Sequence, residues 1–283
     1  MRNLAHERNK MTVNDDVYYD SWKEDRDLIL EYNGIDLSDA GVSNILGAGV
    51  DNVTRSQAIV KVMKMIEEGG VYHIIPVNPY KLVRYRRNRD LNVIYSRSNM
   101  KIASGAGVVW ASRMVGYPLK ERVDLLSFLM ELIRLSEIKE YTIFLVGGRP
   151  EVAEQAFFNI RKSFPKIRIV GRHGGFFNDE RELSVVEAIR KSQANIVLVG
   201  LGFPREDRWI NKVRNNFKNT IFINVGGSLD VISGENRKTP AFFAERGLEW
   251  LYRIITRPWR VGRLYRVFLF DAHLLLHRIF KRR

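Results

Sequence analysis

The chain has 283 residues, a formal net charge of +14 and no cysteine. It is long enough to bury a substantial core, as one large domain or two small ones, and its 45% hydrophobic and 28% charged content is typical of a globular protein. The absence of cysteine excludes disulfides, thiolate metal sites and cysteine nucleophiles.

The two ends of the sequence predict a cytoplasmic protein. The first 20 residues are polar and lack the apolar segment of a secretory signal. Near the C-terminus, the apolar run 267–280 is interrupted by Asp271, His273, His277 and Arg278. It is therefore too short for a spanning helix, which needs roughly 20 apolar residues.

The order of predicted elements indicates three regions. Residues 1–40 are charged and aperiodic, and we interpret them as an N-terminal extension, partly helical or disordered. Residues 41–242 are predicted to form an α/β domain with a mostly parallel sheet, because short β-branched runs alternate with helical segments. Residues 243–283 are predicted to form a basic amphipathic helical appendage.

Within the α/β region, Thr54 and Gln57 form a capping box at the start of a helix with an apolar face. Strands are predicted at 72–77, 142–146, 167–170, 195–199 and 220–225. Helices are predicted at 121–137, 150–163, 183–191 and 205–217. No tandem repeat or low-complexity segment interrupts this alternation.

Three of the predicted strands end in glycine-containing turns, at Gly147 and Gly148, Gly200 and Gly202, and Gly226 and Gly227. Ligands of open parallel sheets bind beyond the carboxyl ends of the strands, where glycine lets backbone N–H groups approach a phosphate. Glycines that only turn the chain are the alternative, but three such turns favour a nucleotide or nucleotide-sugar site. The G-x-G-x-x-G pattern is absent, which disfavours a dinucleotide oxidoreductase.

The appendage concentrates positive charge. Residues 243–283 contain ten Lys and Arg against three Asp and Glu, which is half of the excess charge of the chain. Arginines recur there every three or four residues beside large apolar side chains, at Arg253, Arg257, Arg260, Arg263 and Arg266. On a helix this spacing gives a cationic face, which favours an anionic partner such as a lipid surface, a diphosphate or nucleic acid.

These motifs together resemble the WecG/TagA/CpsF bacterial glycosyltransferases. The resemblance covers about residues 44–266, and its order and spacing are specific in combination. The matching segments are 77–79 (VNP), 105–112 (GAGVVWAS), 144–148 (FLVGG), 171–176 (GRHGGF), 199–210 (VGLGFPREDRWI), 225–230 (VGGSLD) and 247–253 (GLEWLYR).

The resemblance implies a Rossmann-like fold and an inverting, metal-independent sugar transfer that needs no cofactor. It implies a nucleotide-diphosphate-sugar donor and a polyprenyl-diphosphate-linked acceptor at the inner face of the plasma membrane. The enzyme would therefore be peripheral and would contact an anionic lipid surface. Members use UDP-N-acetylmannosamine, UDP-N-acetylmannosaminuronic acid, UDP-glucose or GDP-mannose, and the residues do not select among these donors. A homo-oligomer is left open.

Carried over by position, the family's conserved asparagine falls on Asn78, although Pro76 replaces the threonine two residues before it. The family arginine falls on Arg122. In the segment 204–209 (PREDRW), Glu206 replaces a glutamine. The arginines proposed to hold the leaving diphosphate fall on Arg253, Arg260 and Arg263.

Ser104 is the main departure, because the family pattern has an aspartate there as the proposed general base. A carboxylate can accept the acceptor hydroxyl proton, whereas a serine without an activating partner cannot. Three explanations are open. Glu206 serves as the base instead, or stabilisation of the diphosphate suffices without a strong base, or the chain is catalytically weakened.

Other polar residues are weaker candidates for a functional role. His173, in a predicted strand-end turn, is expected to contact a phosphate or sugar, or only to bond backbone. Asp230 is expected to bind ribose or sugar hydroxyls, or to cap a turn. The arginines at 84, 86, 87 and 89 are interpreted as a solvated helix face, with binding of an acceptor phosphate as the alternative. His273 and His277 have metal spacing but no third ligand nearby, so no metal site is predicted.

Two other functions compete with glycosyl transfer. A nucleic-acid-binding protein is disfavoured, because no recognisable nucleic-acid module is present. A non-catalytic nucleotide-sugar binder is kept open by Ser104 and Pro76.

Overall fold

The computed structural model describes residues 25–256 except 238, 241, 244, 245, 247, 249, 250, 253 and 254. Its centre is a six-stranded parallel sheet of order β4-β3-β8-β7-β5-β6. The strands are β3 (Val71–Val77), β4 (Met100–Ala103), β5 (Thr142–Gly147), β6 (Arg168–His173), β7 (Ile196–Gly200) and β8 (Thr220–Asn224).

Helices cover both faces of this sheet. The helices are α1 (Asp25–Asn33), α2 (Arg55–Glu68), α3 (Pro79–Arg87), α4 (Arg89–Arg97), α5 (Ala106–Met114), α6 (Leu125–Ile138), α7 (Pro150–Ser163), α8 (Asp179–Ser192), α9 (Arg205–Val213) and α10 (Ser228–Ile232). The first face carries α1, α2, α6, α7 and α10, and the second carries α3, α4, α8 and α9.

Alternating side chains of β5 show why both faces are covered. Ile143 and Leu145 belong to the core cluster of the first face, whereas Phe144 and Val146 belong to a cluster of the second face. All four are at most 4% exposed. A strand that is apolar on both sides is stable only between two helical layers, as in other parallel sheets.

A two-stranded antiparallel hairpin, β1 (Gly41–Ile45) and β2 (Ala48–Asn52), packs beside the sheet. Ile45 and Val50 are fully buried against apolar residues of α3, α4 and α5, with which they form a third core cluster. This lobe is next to β4, because β2 contacts that strand.

The predicted α/β class is confirmed, and all five predicted strands form. Four of them agree within one residue at each end, whereas β6 ends at His173, three residues later than predicted. The capping box also forms, since Thr54 Oγ1 accepts from the Gln57 amide at 3.2 Å and Gln57 Oε1 accepts from the Thr54 amide at 3.1 Å. The hairpin and β4 were not predicted. Helix α1 lies inside the segment interpreted as an extension and contributes Leu28 and Tyr32 to the core.

Several predicted helix bounds were wrong for local reasons. The helix predicted from residue 121 begins at Leu125, because Asp124 caps it by accepting from the Ser127 amide at 2.9 Å. The helix predicted from residue 183 begins at Asp179, because Asn178 caps it in the same way. The helix predicted to end at residue 217 gives way to a 3₁₀ turn at Arg214–Asn216.

Candidate active site

The carboxyl edge of the sheet collects most of the residues predicted to be functional. Because all six strands are parallel, their carboxyl ends lie on one edge. Asn78 follows β3, Ser104 follows β4, and His173 is the last residue of β6. The glycine turns follow β5, β7 and β8, as expected from the sequence.

Neighbouring strands β5 and β7 form a topological switch point. The helix after β5, α7, packs on the first face through Val152 and Ala156, whereas the helix after β7, α9, packs on the second face through Trp209 and Ile210. The two connections therefore diverge and leave a crevice beyond the strand ends, which is where ligands of open α/β sheets bind.

Glycine is required at this crevice because the backbones of neighbouring strand ends approach each other closely. Gly147 and Gly200 are register partners, and a Cβ atom built on Gly147 would lie 2.5 Å from the carbonyl oxygen of Gly200. Gly148 has a φ of +65°, in the left-handed region that favours glycine. The turns therefore bring three stretches of glycine backbone together at the carboxyl edge.

Asp230 lies beside two of these turns. Its carboxylate oxygens are 3.7 and 3.3 Å from Cβ positions built on Gly148 and Gly227. It belongs to the first turn of α10, and the backbone carbonyl of Asp230 accepts from the Asn236 amide at 2.8 Å. A carboxylate in this place can accept hydrogen bonds from the hydroxyls of a ribose or a sugar.

Asn78 and Ser104 are adjacent on the β3–β4 side of the edge. The Ser104 amide and hydroxyl both donate to the Val77 carbonyl, at 2.9 and 3.1 Å. Asn78 caps α3 by accepting from the Lys81 amide at 2.9 Å. A Cβ on Gly105 would lie 2.9 Å from the Asn78 Cβ, so glycine at this position allows the two strand ends to approach.

Arg122 is held near the same strand end. The amide of the next residue, Val123, donates to the Ala103 carbonyl at 2.9 Å, which attaches this loop to the end of β4. The Arg122 guanidinium is 3.8 Å from the Asp124 carboxylate.

Glu206 is completely buried at the start of α9. One carboxylate oxygen is 3.2 Å from Lys81 Nζ, and the other accepts from the Gly202 amide at 3.2 Å. Desolvation raises the pKa of Glu206, while the Lys81 ammonium opposes that rise. The pair joins α3 to the turn after β7, and so connects the two halves of the carboxyl edge.

Beneath this pair lies a buried polar network that the sequence did not predict. Asp207 Oδ1 accepts from the Tyr85 hydroxyl at 2.9 Å and from Asn224 Nδ2 at 2.8 Å. The Asn224 side-chain oxygen lies 2.9 Å from His73 Nε2, which therefore carries the donated proton. Burial lowers the pKa of His73 to about 4, so its ring is neutral.

This network was missed because its contacts are between residues far apart in sequence. His73 and Asn224 are 151 positions apart, and Tyr85 and Asp207 are 122 apart. Asp207 and Lys81 lie within or beside quoted motifs, but no local spacing shows that they contact Tyr85 and Glu206. A polar residue inside an otherwise apolar strand, such as His73 in β3, was the available signal.

His173 is half-buried, and its Nδ1 is 2.6 Å from the Gly174 carbonyl oxygen. Among the described residues, no three His, Asp or Glu side chains are grouped so that they could hold a metal ion. Arg253, Arg260 and Arg263 lie outside the described residues, and so do His273 and His277.

No helix in the described part of the chain is long and apolar enough to cross a membrane.

Comparisons with known proteins identify a family and relatives of similar sequence. A model of the glycosyl transferase WecG/TagA/CpsF family matches residues 43–283. The chain is similar to the N-acetylglucosaminyldiphosphoundecaprenol N-acetyl-beta-D-mannosaminyltransferase of Staphylococcus aureus strains NCTC 8325 / PS 47 and COL, with 29% identity over 230 residues in each case. The match covers 80% of this chain and 89% of each relative.

Proposed function

This chain belongs to the WecG/TagA/CpsF family of glycosyl transferases, and we propose that it moves a sugar from a nucleotide-diphosphate donor to a polyprenyl-diphosphate-linked saccharide. Membership makes the chain a glycosyltransferase. The names of the Staphylococcus aureus relatives, which pair an N-acetylmannosaminyl group with a diphosphoundecaprenol acceptor, support this choice of substrates. The product would be a precursor of a cell-surface polysaccharide.

The three glycine turns at the β5–β7 crevice are the observation that carries this proposal. The donor's diphosphate would accept hydrogen bonds from backbone amides around Gly147, Gly200 and Gly226, where glycine lets the backbone approach a phosphate. The carboxylate of Asp230 would orient a ribose or sugar hydroxyl. Gly148, Gly202, Gly227 and His173 would complete the wall of the donor site.

Asn78, Ser104 and Arg122 are proposed to face the reacting sugar and the acceptor. In an inverting displacement, the acceptor hydroxyl oxygen bonds to the anomeric carbon while the bond from that carbon to the diphosphate breaks. The nucleotide diphosphate leaves with the bonding electrons, and the hydroxyl proton is lost to water or to the departing phosphate. Asn78 and Ser104 can hydrogen-bond sugar hydroxyls, but neither is a strong base.

The burial of Glu206 favours the explanation in which no strong base is needed. A general base must come within about 3 Å of the proton that it removes, and the Glu206 carboxylate is 0% exposed with both oxygens engaged. We infer that Glu206 positions Lys81 and the Gly202 turn. A direct role of Glu206 as the base stays a prediction.

Without a metal ion, the charge that develops on the leaving diphosphate requires protein cations. Arg253, Arg260 and Arg263 are the proposed groups, because a guanidinium can bind phosphate oxygens through two parallel hydrogen bonds. The remaining basic residues of 243–283 would attract the chain to an anionic lipid surface, as a peripheral protein on the inner face of the membrane.

Donor binding provides the test of this function. Full-length protein is heated with UDP, UDP-N-acetylmannosamine, UDP-glucose or GDP-mannose, in the presence of EDTA. A ligand at 100 times its dissociation constant stabilises the folded state by about 2.7 kcal/mol, which raises Tm by roughly 5–10 °C for a chain of this size. Stabilisation by one nucleotide sugar is expected; no shift with any nucleotide would contradict a donor site.

A further inference from the structure

A concave site lies on the flank of the sheet, between the β1–β2 hairpin and helices α3 and α4. Its volume is about 130 Å³. Since one water molecule occupies about 30 Å³ of liquid, the site has room for about four waters. That is enough room for a phosphate group. The lining residues are Gly47, Ala48, Gly49, Tyr85, Arg86, Asn92, Tyr95, Ser96 and Lys101.

The charge of this site is positive. Arg86 and Lys101 are both among the nine lining residues, and none of the nine is a carboxylate. The Arg86 guanidinium forms no ion pair or hydrogen bond with any residue that the structure describes. Lys101 Nζ donates to the Ser98 carbonyl at 2.7 Å and lies 5.6 Å from the centre of the Tyr95 ring, so two of its three N–H bonds have no acceptor among the described residues.

The carboxylate that attracts Lys101, Asp51, is already engaged by other groups. Asp51 accepts from Lys61 Nζ at 2.6 Å and from the backbone amide of Lys101 at 2.8 Å. Desolvation lowers the pKa of Lys101, an effect larger than the opposing attraction of Asp51. The ammonium is therefore held partly away from water with incomplete compensation, and an added anion would improve its environment.

The walls of the site are fixed by packing. Tyr85 and Tyr95 stack with their ring centres 4.5 Å apart, and the Tyr95 hydroxyl donates to the Gly49 carbonyl at 2.6 Å. This last contact attaches α4 to the hairpin. A site with rigid aromatic walls binds an ion with little loss of conformational entropy.

The site is separate from the carboxyl edge. Lys101 precedes Ser104 by three strand positions, which is on the order of 10 Å. Arg86 lies near the end of α3, roughly 12 Å along the helix from Asn78 at its start. The proposed donor crevice lies beyond β5 and β7, on the far side of β3 and β8.

We propose that the Arg86–Lys101 site binds a phosphate group outside the donor crevice. The phosphate would accept from the Arg86 guanidinium and the Lys101 ammonium, with the exposed Asn92 amide as a further donor. Two sources share this chemistry, a soluble phosphate compound and a phospholipid headgroup. Three exposed arginines nearby, Arg87, Arg89 and Arg97, would raise the local anion concentration without lining the site.

The test compares two neighbouring arginines in the full chain. Arg86→Gln and Arg87→Gln remove the same charge from exposed positions one residue apart, but only Arg86 lines the site. Inorganic phosphate and pyrophosphate are titrated by calorimetry into the wild type and both variants. Loss of a charge-assisted hydrogen bond is expected to weaken binding about tenfold in Arg86→Gln, while Arg87→Gln changes it less than twofold.

A vesicle arm separates the two sources. Flotation with phosphatidylglycerol vesicles, and with phosphatidylcholine vesicles as the neutral control, is measured for the same three proteins. A selective loss in Arg86→Gln with free phosphate assigns a soluble ligand, and a selective loss only with phosphatidylglycerol assigns a headgroup. Equal losses in both variants, or no effect of Arg86→Gln in either arm, would overturn the proposal.

Discussion

Among single residues, Glu206 is distinguished by complete burial together with contacts to a buried cation and a turn amide. Breaking one side of a buried ion pair leaves an uncompensated charge, which costs about 3–5 kcal/mol. Removing both partners costs less than the sum of the two single changes. Changes of this size in the free energy of unfolding are measurable, so variants of the two partners can test the role of Glu206.

We predict that Glu206→Gln and Lys81→Met each lower the free energy of unfolding by about 3–5 kcal/mol, because each leaves its partner buried and unpaired. The double variant should be closer to the wild type than their sum. Urea unfolding of the four proteins gives the coupling energy. In sugar transfer, the pH profile of kcat/KM, including any acid limb, should have the same shape in Glu206→Gln as in the wild type, since a positioning residue does not itself accept the proton.

The opposite result would identify Glu206 as the base. Loss of the acid limb in Glu206→Gln, with Lys81→Met retaining it, cannot be explained by a positioning role. Such a result would require the carboxylate to become accessible when substrate binds.

His73 predicts a pH dependence of stability. Its pKa is about 4 in the folded protein and about 6.5 when unfolded. Between these values the unfolded state binds more protons, so stability falls as the pH falls through this window. The loss from pH 7 to pH 5 should be roughly 2 kcal/mol. In His73→Gln, urea unfolding at the two pH values should show this component removed; an unchanged difference would contradict it.

At the scale of elements, the crevice depends on how closely the ends of β5 and β7 approach. We predict that Gly147→Ala lowers the free energy of unfolding by about 1–3 kcal/mol, because its Cβ would lie 2.5 Å from the Gly200 carbonyl oxygen. It should also abolish stabilisation by the donor. Gly41→Ala is the matched control, since a Cβ there meets no atom within 4 Å. Equal behaviour of the two variants would disprove the packing argument.

The elements that the sequence predicted are those with a strong local signal. The β-branched runs of β3, β5, β7 and β8 and the glycines after the last three identified the sheet and its functional edge. Strand β4 was not predicted, because it has only four residues, Met100–Ala103. It forms by pairing with β3. Helix α3 is so rich in arginine that its sequence indicates an exposed helix. The burial of Leu82 and Tyr85 was therefore not predicted.

In the candidate site, too, positions with a local signal were predicted and long-range contacts were not. Asn78 and Gly147 were placed at the carboxyl edge from the sequence, because they directly follow predicted strands and strand ends in a parallel sheet share one edge. Ser104 was located only by its motif, because β4 was not predicted. The contacts of Glu206 were not predictable, since Lys81 is 125 positions away. The burial of the Glu206 carboxylate alters its chemical role. This burial results from the packing of helices and is not encoded in any local sequence pattern.

At the scale of the whole molecule, charge and chemistry are divided between regions. The described α/β domain carries the crevice, whereas residues 243–283 hold half of the excess positive charge of the chain. A transferase with a lipid-linked acceptor needs both a donor pocket and attraction to an anionic surface. The proposed function requires the two regions to act on one substrate pair.

The most direct measurement is sugar transfer by the full-length protein. Purified chain is incubated with UDP-N-acetylmannosamine, or another donor that stabilises it, and a synthetic N-acetylglucosaminyl-diphosphoryl lipid in vesicles, with EDTA present. Mass spectrometry should detect a lipid product heavier by one sugar residue, with release of one nucleotide diphosphate for each product molecule. A protein that binds the donor yet yields no product with any sugar of the panel would contradict glycosyl transfer and indicate a non-catalytic binder.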